Sequence, residues 1–169
     1  MVKKLIIVSG KQFSGKDTFA KFLLEYLTDF TRIGIGDAIK IEYGKQHGLT
    51  FEEIEKEKHL YRAGLIELGD WGRAQNPDYW LNKIIEFDGN VIVPDIRVPH
   101  ELELFKSHGA IAIRVEAPRD CRSQRGVLVK ENDPTEVLLD EIKNWDFIIQ
   151  NDGTLEELKT KAKEISNLI

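Results

Sequence analysis

Residues 5–18 read LIIVSGKQFSGKDT, and this stretch decides the fold. The run from Leu5 to Ser9 lacks polar alternation, which is typical of a strand buried on both faces of a parallel sheet. After Thr18 the apolar residues recur at the three- and four-residue steps of one helix face; they are Phe19, Phe22, Leu23, Tyr26 and Leu27. The stretch therefore predicts a strand, a glycine-containing loop and a helix in direct succession.

The loop between this strand and helix has the composition of a phosphate-binding loop. At such a position the backbone N–H groups and the helix N-terminus converge on an anion. Gly10 and Gly15 permit backbone angles and a close approach that side chains would block, and Lys16 supplies a mobile cation for the β- and γ-phosphates of a nucleotide. The residues predicted to bind the nucleotide are Gly10, Phe13, Ser14, Gly15, Lys16, Asp17 and Thr18.

Asp17 stands where such loops ordinarily have serine or threonine, whose hydroxyl binds magnesium. A carboxylate is a hard oxygen donor, so Asp17 is a candidate magnesium ligand, either directly or through water. The alternative is that Asp17 only complements the dipole of the helix that it opens. Thr18 follows at a position from which its hydroxyl can reach the α-phosphate.

The rest of the chain alternates predicted strands and helices. Further strand candidates lie at Thr31–Ile35, 91–93, 110–115 and 146–150. Helical patterns separate them: one capped by Asp37 and ended by Gly48, one opened by a capping box at Thr50–Glu53, two over 79–87 and 99–107, and a last one opened by a capping box at Thr154–Glu157. This alternation predicts an α/β fold of three layers with a central parallel sheet of about five strands. We expect one domain over residues 1–169, with a helical acceptor-binding insert at about 37–88 and a lid-like segment at about 119–144.

A second acidic position follows the predicted strand at 91–93. Asp95 lies at the C-terminal end of this strand, where the ligands of open parallel sheets bind. It is therefore a candidate to orient magnesium or its waters, and Arg97 is a candidate to contact a phosphate of the acceptor. The alternative is a strand-ending turn with an exposed ion pair.

Basic and aromatic residues supply candidates for a lid and an acceptor pocket. Arg119, Arg122 and Arg125 recur every three residues and would either close over a transferring phosphoryl group or form a solvated face. Cations in the helical stretch would either hold the acceptor's phosphate or be ordinary surface residues; they are Lys40, Arg62 and Arg73. Aromatic residues of the same stretch would either stack on a base or belong to the core; they are Trp71, Tyr79 and Trp80.

Composition limits the partners and the compartment. The 24 lysine and arginine residues against 29 aspartate and glutamate residues give a net charge of −5, which argues against general nucleic-acid binding. The apolar runs are far shorter than the roughly 20 residues of a membrane span, and the short N-terminal run does not fit a signal peptide. The single cysteine, Cys121, excludes an internal disulfide and favours a reduced compartment. We therefore expect a cytoplasmic protein that binds neither nucleic acid nor membranes.

These motifs resemble those of two groups of kinases. The loop is similar to that of phage-type deoxynucleoside monophosphate kinases, and this resemblance continues at Tyr79–Trp80, Val93–Arg97, His100–Glu101 and Asn151–Leu158. The chain is also similar to animal-type phosphomevalonate kinases at Ser14–Asp17, Lys40, Tyr43, 47–49, Trp71–Gly72, 76–78, 124–126 and 145–147. Both groups are P-loop kinases of the nucleoside monophosphate kinase type.

The resemblance implies a three-layer P-loop NTPase fold, ATP and Mg²⁺ as cofactors, and a small phosphorylated acceptor. It implies that Lys16, Asp17 and Thr18 serve the donor phosphates and the metal, that Asp95 and Arg97 lie on the metal and acceptor side, and that residues 119–125 correspond to a lid. The predicted catalytic residues are Lys16, Asp95, Arg97, Arg122 and Arg125; the predicted acceptor-binding residues are Lys40, Arg73 and Arg97; the predicted metal ligands are Asp17 and Asp95.

The predicted function is ATP-dependent phosphoryl transfer, with a (deoxy)nucleoside monophosphate as the first candidate acceptor. The alternatives are phosphomevalonate as acceptor and a nucleotide-binding protein without transfer activity. Aromatic residues that stack on a base would favour a nucleotide, whereas a basic pocket without an aromatic platform would favour phosphomevalonate.

Overall fold

The computed structural model describes residues 3–169 and divides into two compact units. One unit comprises the described residues up to Arg32 together with Asp88–Ile169, and the other comprises Ile33–Phe87. In chain order the described elements are β1 (Leu5–Ser9), α1 (Lys16–Tyr26), β2 (Phe30–Arg32), α2 (Ile35–His47), α3 (Phe51–Lys56), α4 (Lys58–Gln75), α5 (Tyr79–Ile85), β3 (Asn90–Ile96), α6 (Pro99–Ser107), β4 (Ile111–Glu116), α7 (Arg119–Arg125), α8 (Pro134–Val137), β5 (Phe147–Gln150) and α9 (Leu155–Ser166). We call these two parts the sheet unit and the helical unit.

The sheet unit is built around a five-stranded sheet in the order β2-β3-β1-β4-β5. Every neighbouring pair of strands is parallel, and Ile7 of the central strand lies opposite Val93 on one side and Ala112 on the other. Helices lie on both faces of the sheet, which is why all residues of β1 are buried. The predicted α/β fold with a central parallel sheet is confirmed.

The core of the sheet unit joins α1 and α9 to one face of the sheet. Phe19 and Leu23 of α1 are fully buried, as the helical spacing predicts. Each such side chain contributes about 1.5–3 kcal/mol by leaving water. The buried members of this core are Ile6, Val8, Phe19, Ala20, Leu23, Phe30, Ile92, Ile113, Val115, Ile149, Leu158, Ala162 and Ile165.

Two predicted boundaries are wrong. The strand predicted at Thr31–Ile35 ends at Arg32, and Ile35 already belongs to α2. Asp37 therefore lies inside the first turn of α2 instead of capping it, and its carboxylate accepts a hydrogen bond from the backbone N–H of Gly34 at 2.8 Å. An acidic side chain at this position satisfies a free N–H of the helix start just as a cap does, which explains why the two patterns look alike in sequence.

β3 is longer than its predicted apolar core. It continues through Pro94 and Asp95 to Ile96, with a register shift against β1 between Ile7 and Ser9. Two steps along β1 match three steps along β3 here, so β3 carries a bulge at Pro94 and Asp95. Proline has no N–H for the strand ladder, and a bulge is a position that tolerates it.

Three sequence signals for helix boundaries, two starts and one end, are confirmed. Thr50 and Thr154 cap α3 and α9 with the predicted reciprocal hydrogen bonds to Glu53 and Glu157. Gly48 ends α2 in the left-handed conformation, at a φ of 67°. Within the described residues, no helix combines the length and apolar character needed to cross a bilayer.

The helical unit depends on close helix contacts at glycines. Gly72 of α4 lies against the indole of Trp80, whose Nε1–H donates to the Gly69 carbonyl at 3.0 Å. Gly64 of the same helix lies against the phenol ring of Tyr43. Trp80 is buried, so of the two roles predicted for it the core role is confirmed.

Candidate functional site

The phosphate loop of the sheet unit needs both of its glycines. Gly15 caps α1 at a φ of 95°, a left-handed conformation in which side chains are strained. A Cβ at Gly15 would also overlap the Asn151 side chain, which donates to the Ser14 carbonyl at 2.8 Å. A Cβ at Gly10 would lie 2.6 Å from the Val115 carbonyl oxygen. The loop therefore packs so closely against the ends of β4 and β5 that neither glycine has room for a side chain.

The side chains that follow Gly15 open into a cavity of about 480 Å³. Lys16 is mostly buried, with 12% of its side chain exposed, so its ammonium group is held at the cavity rather than in bulk water. The same cavity is also lined by Arg125 and by the apolar residues Phe13, Val127 and Val129. Its lining residues are Gln12, Phe13, Gly15, Lys16, Asp17, Thr18, Arg125, Val127 and Val129.

Asp17 lies in the first turn of α1 and is well exposed, at 68% of its side chain. Its carboxylate is 3.8 Å from the Lys16 ammonium and 4.0 Å from the Arg32 guanidinium. Residues 3–169 hold no cluster of three or more side chains of the kind that binds a metal alone. Magnesium commonly binds through one or two carboxylates together with substrate phosphates and waters. The exposed Asp17 carboxylate beside the phosphate loop fits that kind of site.

Asp95 and Arg97 flank the end of β3. Asp95 is half-buried in the bulge, and Arg97 is exposed. Glu101 of α6 accepts the backbone N–H groups of Arg97 at 2.8 Å and Val98 at 3.3 Å, which fixes the turn that follows the strand. Burial raises the pKa of Glu101, and these two hydrogen bonds oppose the rise. The predicted strand-end position of Asp95 is confirmed, and its metal role stays a prediction.

The three arginines of α7 have different surroundings. Arg125 donates to the carbonyls of Phe13 at 3.1 Å and Asn151 at 2.7 Å, and it lines the same cavity as Lys16. Arg122 is buried and donates to the Ala117 carbonyl at 3.2 Å. Arg119 is exposed and forms two hydrogen bonds of 3.0 Å with Glu131. The structure thus brings Arg125, but not Arg119, to the cavity of the phosphate loop.

The sequence reasoning missed an ion-pair network beside the loop that is centred on a buried arginine. Arg114 of β4 is almost fully buried, donates to the Ser9 hydroxyl at 3.0 Å and pairs with Asp140 at 3.3 Å. Asp140 also pairs with Lys11 of the loop at 2.8 Å. Burial lowers the pKa of Arg114, and the charge of Asp140 opposes this. The available signal was an arginine inside the otherwise apolar run 111–115.

A second cavity of about 400 Å³ lies on the Arg114 side of the loop. Ser14 lines it, and the Ser14 hydroxyl is buried without a hydrogen-bond partner among the described residues. The predicted nucleotide-binding residues therefore lie at two cavities. Ser14 lines this one, and Lys16, Asp17 and Thr18 line the other.

In the helical unit, Lys40 and Arg73 line one basic pocket of about 740 Å³. Burial alone would lower the pKa of Lys40, but a hydrogen bond and the charges of Glu55 and Asp37 outweigh it and raise the pKa. Arg73 pairs with Asp70 at 2.8 Å, whereas Lys58 and Arg62 have no ion pair within the described chain. The lining residues are Gly36, Ile39, Lys40, Lys58, His59, Arg62, Leu65, Ile66 and Arg73.

Two family models match the chain, each over more than half of its length. The phosphomevalonate kinase model matches residues 8–110, and the deoxynucleotide monophosphate kinase model matches residues 66–162. The chain belongs to these families of P-loop kinases. The family resemblance seen in the motifs is therefore confirmed, and a kinase-type phosphotransferase is supported.

One sequence relative and two solved structures are similar to almost the whole chain. A protein of Sulfurisphaera tokodaii described as "UPF0200 protein" is 27% identical to this chain, and the match covers 96% of the chain and 95% of that protein. The shikimate kinase of Aquifex aeolicus is 19% identical, with a TM-score of 0.52 over 97% of this chain and 98% of its own. The shikimate kinase of Acinetobacter baumannii, solved with shikimate, is 18% identical, with a TM-score of 0.52 over 99% and 93%.

Proposed function

We propose that this protein is an ATP-dependent kinase that transfers the γ-phosphoryl group to a phosphate oxygen of a small phosphorylated molecule. The proposal rests on one observation: Lys16, Thr18 and Arg125 line one cavity beside the glycines of the loop. This arrangement provides cations and backbone N–H groups for a chain of phosphates. The predicted cytoplasmic location belongs to the same proposal.

The chain's own residues would act by positioning and by neutralising charge. An acceptor phosphate is already ionised, so it needs no strong general base. Lys16 would stay in contact with the phosphoryl group during transfer. Arg125 would neutralise part of the negative charge of the same group. Asp17 and Asp95 are the residues that would hold a magnesium ion brought in with the nucleotide, and the ion would supply neutralisation of the phosphate charge.

The pocket of the helical unit favours an acceptor without an aromatic base. It contains uncompensated cations, Lys58 and Arg62, one turn apart on α4, and aliphatic side chains from Ile39 and Leu65. No phenylalanine, tyrosine or tryptophan is among its lining residues. The phosphomevalonate kinase model also spans the whole helical unit. We therefore rank phosphomevalonate, the alternative in the sequence prediction, as the first acceptor to test.

A nucleoside monophosphate remains the second candidate because the helical unit also has an aromatic pocket. Tyr43, His47 and Trp71 line a cavity of about 400 Å³ on the opposite face of α4. Trp71 is 47% exposed and lies edge-on to Tyr79 with 5.4 Å between ring centroids. A base could stack on such rings.

The test is acceptor-dependent ADP release from MgATP with phosphomevalonate and with a panel of ribo- and deoxynucleoside monophosphates. We expect turnover with phosphomevalonate, and Arg62→Ala should raise the KM for this acceptor about tenfold without changing the KM for ATP. Lys56→Ala, an exposed cation of α3 outside the pocket, is the matched control. ATP binding without acceptor-dependent ADP release would instead favour a nucleotide-binding protein without transfer activity.

A further inference from the structure

Phe13 occupies an unusual position in the phosphate loop. Its backbone has a φ of 57°, in the left-handed region that side chains rarely adopt. The residue is nevertheless 43% exposed, so burial of its ring does not compensate this strain. Strained backbone conformations concentrate at ligand sites, where the surrounding structure holds them.

The surroundings of Phe13 hold its ring in one place. A Cβ at Gly126 would overlap the ring, so the absence of a side chain there makes room for it. The Phe13 carbonyl accepts a hydrogen bond from Arg125 at 3.1 Å. On the preceding residue, the Gln12 side chain accepts from the Val129 N–H at 3.2 Å and donates to the Val129 carbonyl at 2.5 Å. The loop and the segment around Val129 are therefore fixed to each other on both sides of the ring.

Apolar side chains line part of the cavity that Lys16 also lines. Val127 and Val129 are exposed, at 81% and 57%, and line the cavity together with Phe13. Phosphates do not need such a lining, whereas the flat face of a base gains from contact with an aromatic ring and aliphatic side chains. The cavity is thus lined both by residues of the phosphate loop and by apolar side chains.

We propose that Phe13, with Val127 and Val129, is a stacking platform for the base of a nucleotide that binds at the phosphate loop. The inference rests on the proposed function in that it takes the loop as a nucleotide site. The base belongs to the donor or to a nucleotide acceptor, and the two sources share the chemistry of a planar heteroaromatic ring. Phe13 is then a specificity-determining residue, because it favours nucleotides over free polyphosphate.

The test compares ligands with and without a base. Binding of MgATP, of magnesium tripolyphosphate and of nucleoside monophosphates is measured by calorimetry for the wild-type protein, Phe13→Leu, Phe13→Tyr and Leu168→Ala. Phe13→Leu keeps an apolar side chain but removes the flat ring, and Phe13→Tyr retains the ring. Leu168→Ala removes an exposed apolar side chain elsewhere in the sheet unit and is the matched control.

We expect Phe13→Leu to weaken MgATP binding about tenfold and tripolyphosphate binding less than about twofold, with Phe13→Tyr and Leu168→Ala unchanged. The same selective loss for a nucleoside monophosphate, with MgATP unaffected, would assign the platform to the acceptor's base. Equal losses for MgATP and tripolyphosphate, or no loss for any nucleotide, would overturn the proposal. These are binding measurements, so they do not depend on turnover and separate this inference from the failure of the kinase proposal.

Discussion

At the scale of single residues, Lys16 has the most specific of the proposed chemical roles. Its ammonium is held beside Asp17 at the loop cavity and is mostly buried. Lys16→Ala should lower kcat about 10²–10³-fold because it removes charge stabilisation of the transferring phosphoryl group. Thermal melting should stay within a few degrees of the wild type. Lys21→Ala, on the exposed side of the same helix, is the control, and near-wild-type turnover by Lys16→Ala would contradict the assignment.

A substitution of Gly15 tests the backbone conformation of the loop. Gly15→Ala places a Cβ against the Asn151 side chain and forces a left-handed φ on alanine. We expect a loss of about 1–3 kcal/mol in the free energy of unfolding together with weaker ATP binding. Chemical denaturation and calorimetry measure the two effects. Gly109→Ala is informative as a control, because Gly109 also has a positive φ but an added Cβ there meets nothing within 4 Å.

The loop was predictable because its determinants are local. The strand, the glycines and the lysine are consecutive in sequence, and the cavity assembles Lys16, Asp17 and Thr18 from that stretch alone. Arg114 was not predictable as part of the site, because its contact with Ser9 depends on the parallel register of β1 and β4. Asp140 was missed for a similar reason, since it reaches Lys11 and Arg114 from an irregular stretch.

At the scale of elements, the stretch of residues 127–144 is attached to the phosphate loop by specific contacts. Asp140 pairs with Lys11 and Arg114, and Glu136 accepts the backbone N–H of Gln12 at 3.1 Å. The sequence predicted a lid-like segment at about 119–144, and its arginines, which the family resemblance places in the lid, all lie in residues 119–125. The structure adds carboxylates that hold this stretch to the loop.

Asp140→Ala should loosen this attachment. It leaves the buried Arg114 without its carboxylate and should lower the free energy of unfolding by about 1–3 kcal/mol. Hydrogen exchange should accelerate in residues 127–144 more than in β1, which distinguishes local loosening from global destabilisation. Glu141→Ala, at the neighbouring exposed residue, serves as the control. Unchanged exchange in that stretch would show that the pair does not hold it.

Helix α4 lies in the helical stretch that the capping box at Thr50–Glu53 opens in the sequence, but neither its separation from α3 nor its packing was predicted. Its glycines permit close contact with Tyr43 and Trp80, and such contacts depend on which helices become neighbours. Helix propensity alone would favour alanine over glycine at these positions, so tertiary packing overrides it here.

Gly72→Ala tests this packing. An added Cβ would lie 2.7–2.8 Å from atoms of the Trp80 indole, and overpacking of this kind costs about 1–3 kcal/mol. Chemical unfolding followed by tryptophan fluorescence measures the loss. Gly36→Ala is the matched control, since its Cβ meets nothing within 4 Å, and it should stabilise the protein by about 0.5–1 kcal/mol. Equal effects of the two substitutions would contradict the packing argument.

At the scale of the whole molecule, the order of strands and helices explains why the fold was predictable and the acceptor was not. Buried parallel strands read as apolar runs, so the five strands were found and only their ends shifted. The candidate acceptor pocket depends on side chains from α2 and α4 that are distant in sequence, and its lack of phenylalanine, tyrosine and tryptophan appears only in the folded helical unit. The sequence therefore predicted a phosphorylated acceptor, but the pocket that bears on its class forms only on folding.

The central claim is phosphoryl transfer to a phosphate oxygen, and ³¹P NMR of the reaction tests it most directly. The protein is mixed with MgATP and with phosphomevalonate or a nucleoside monophosphate in separate samples. The account predicts that one acceptor's monophosphate signal is replaced by the paired signals of a new diphosphate as ATP is converted to ADP, without accumulation of inorganic phosphate. Spectra that show only ATP hydrolysis to ADP and inorganic phosphate, or no change with any acceptor, would contradict it.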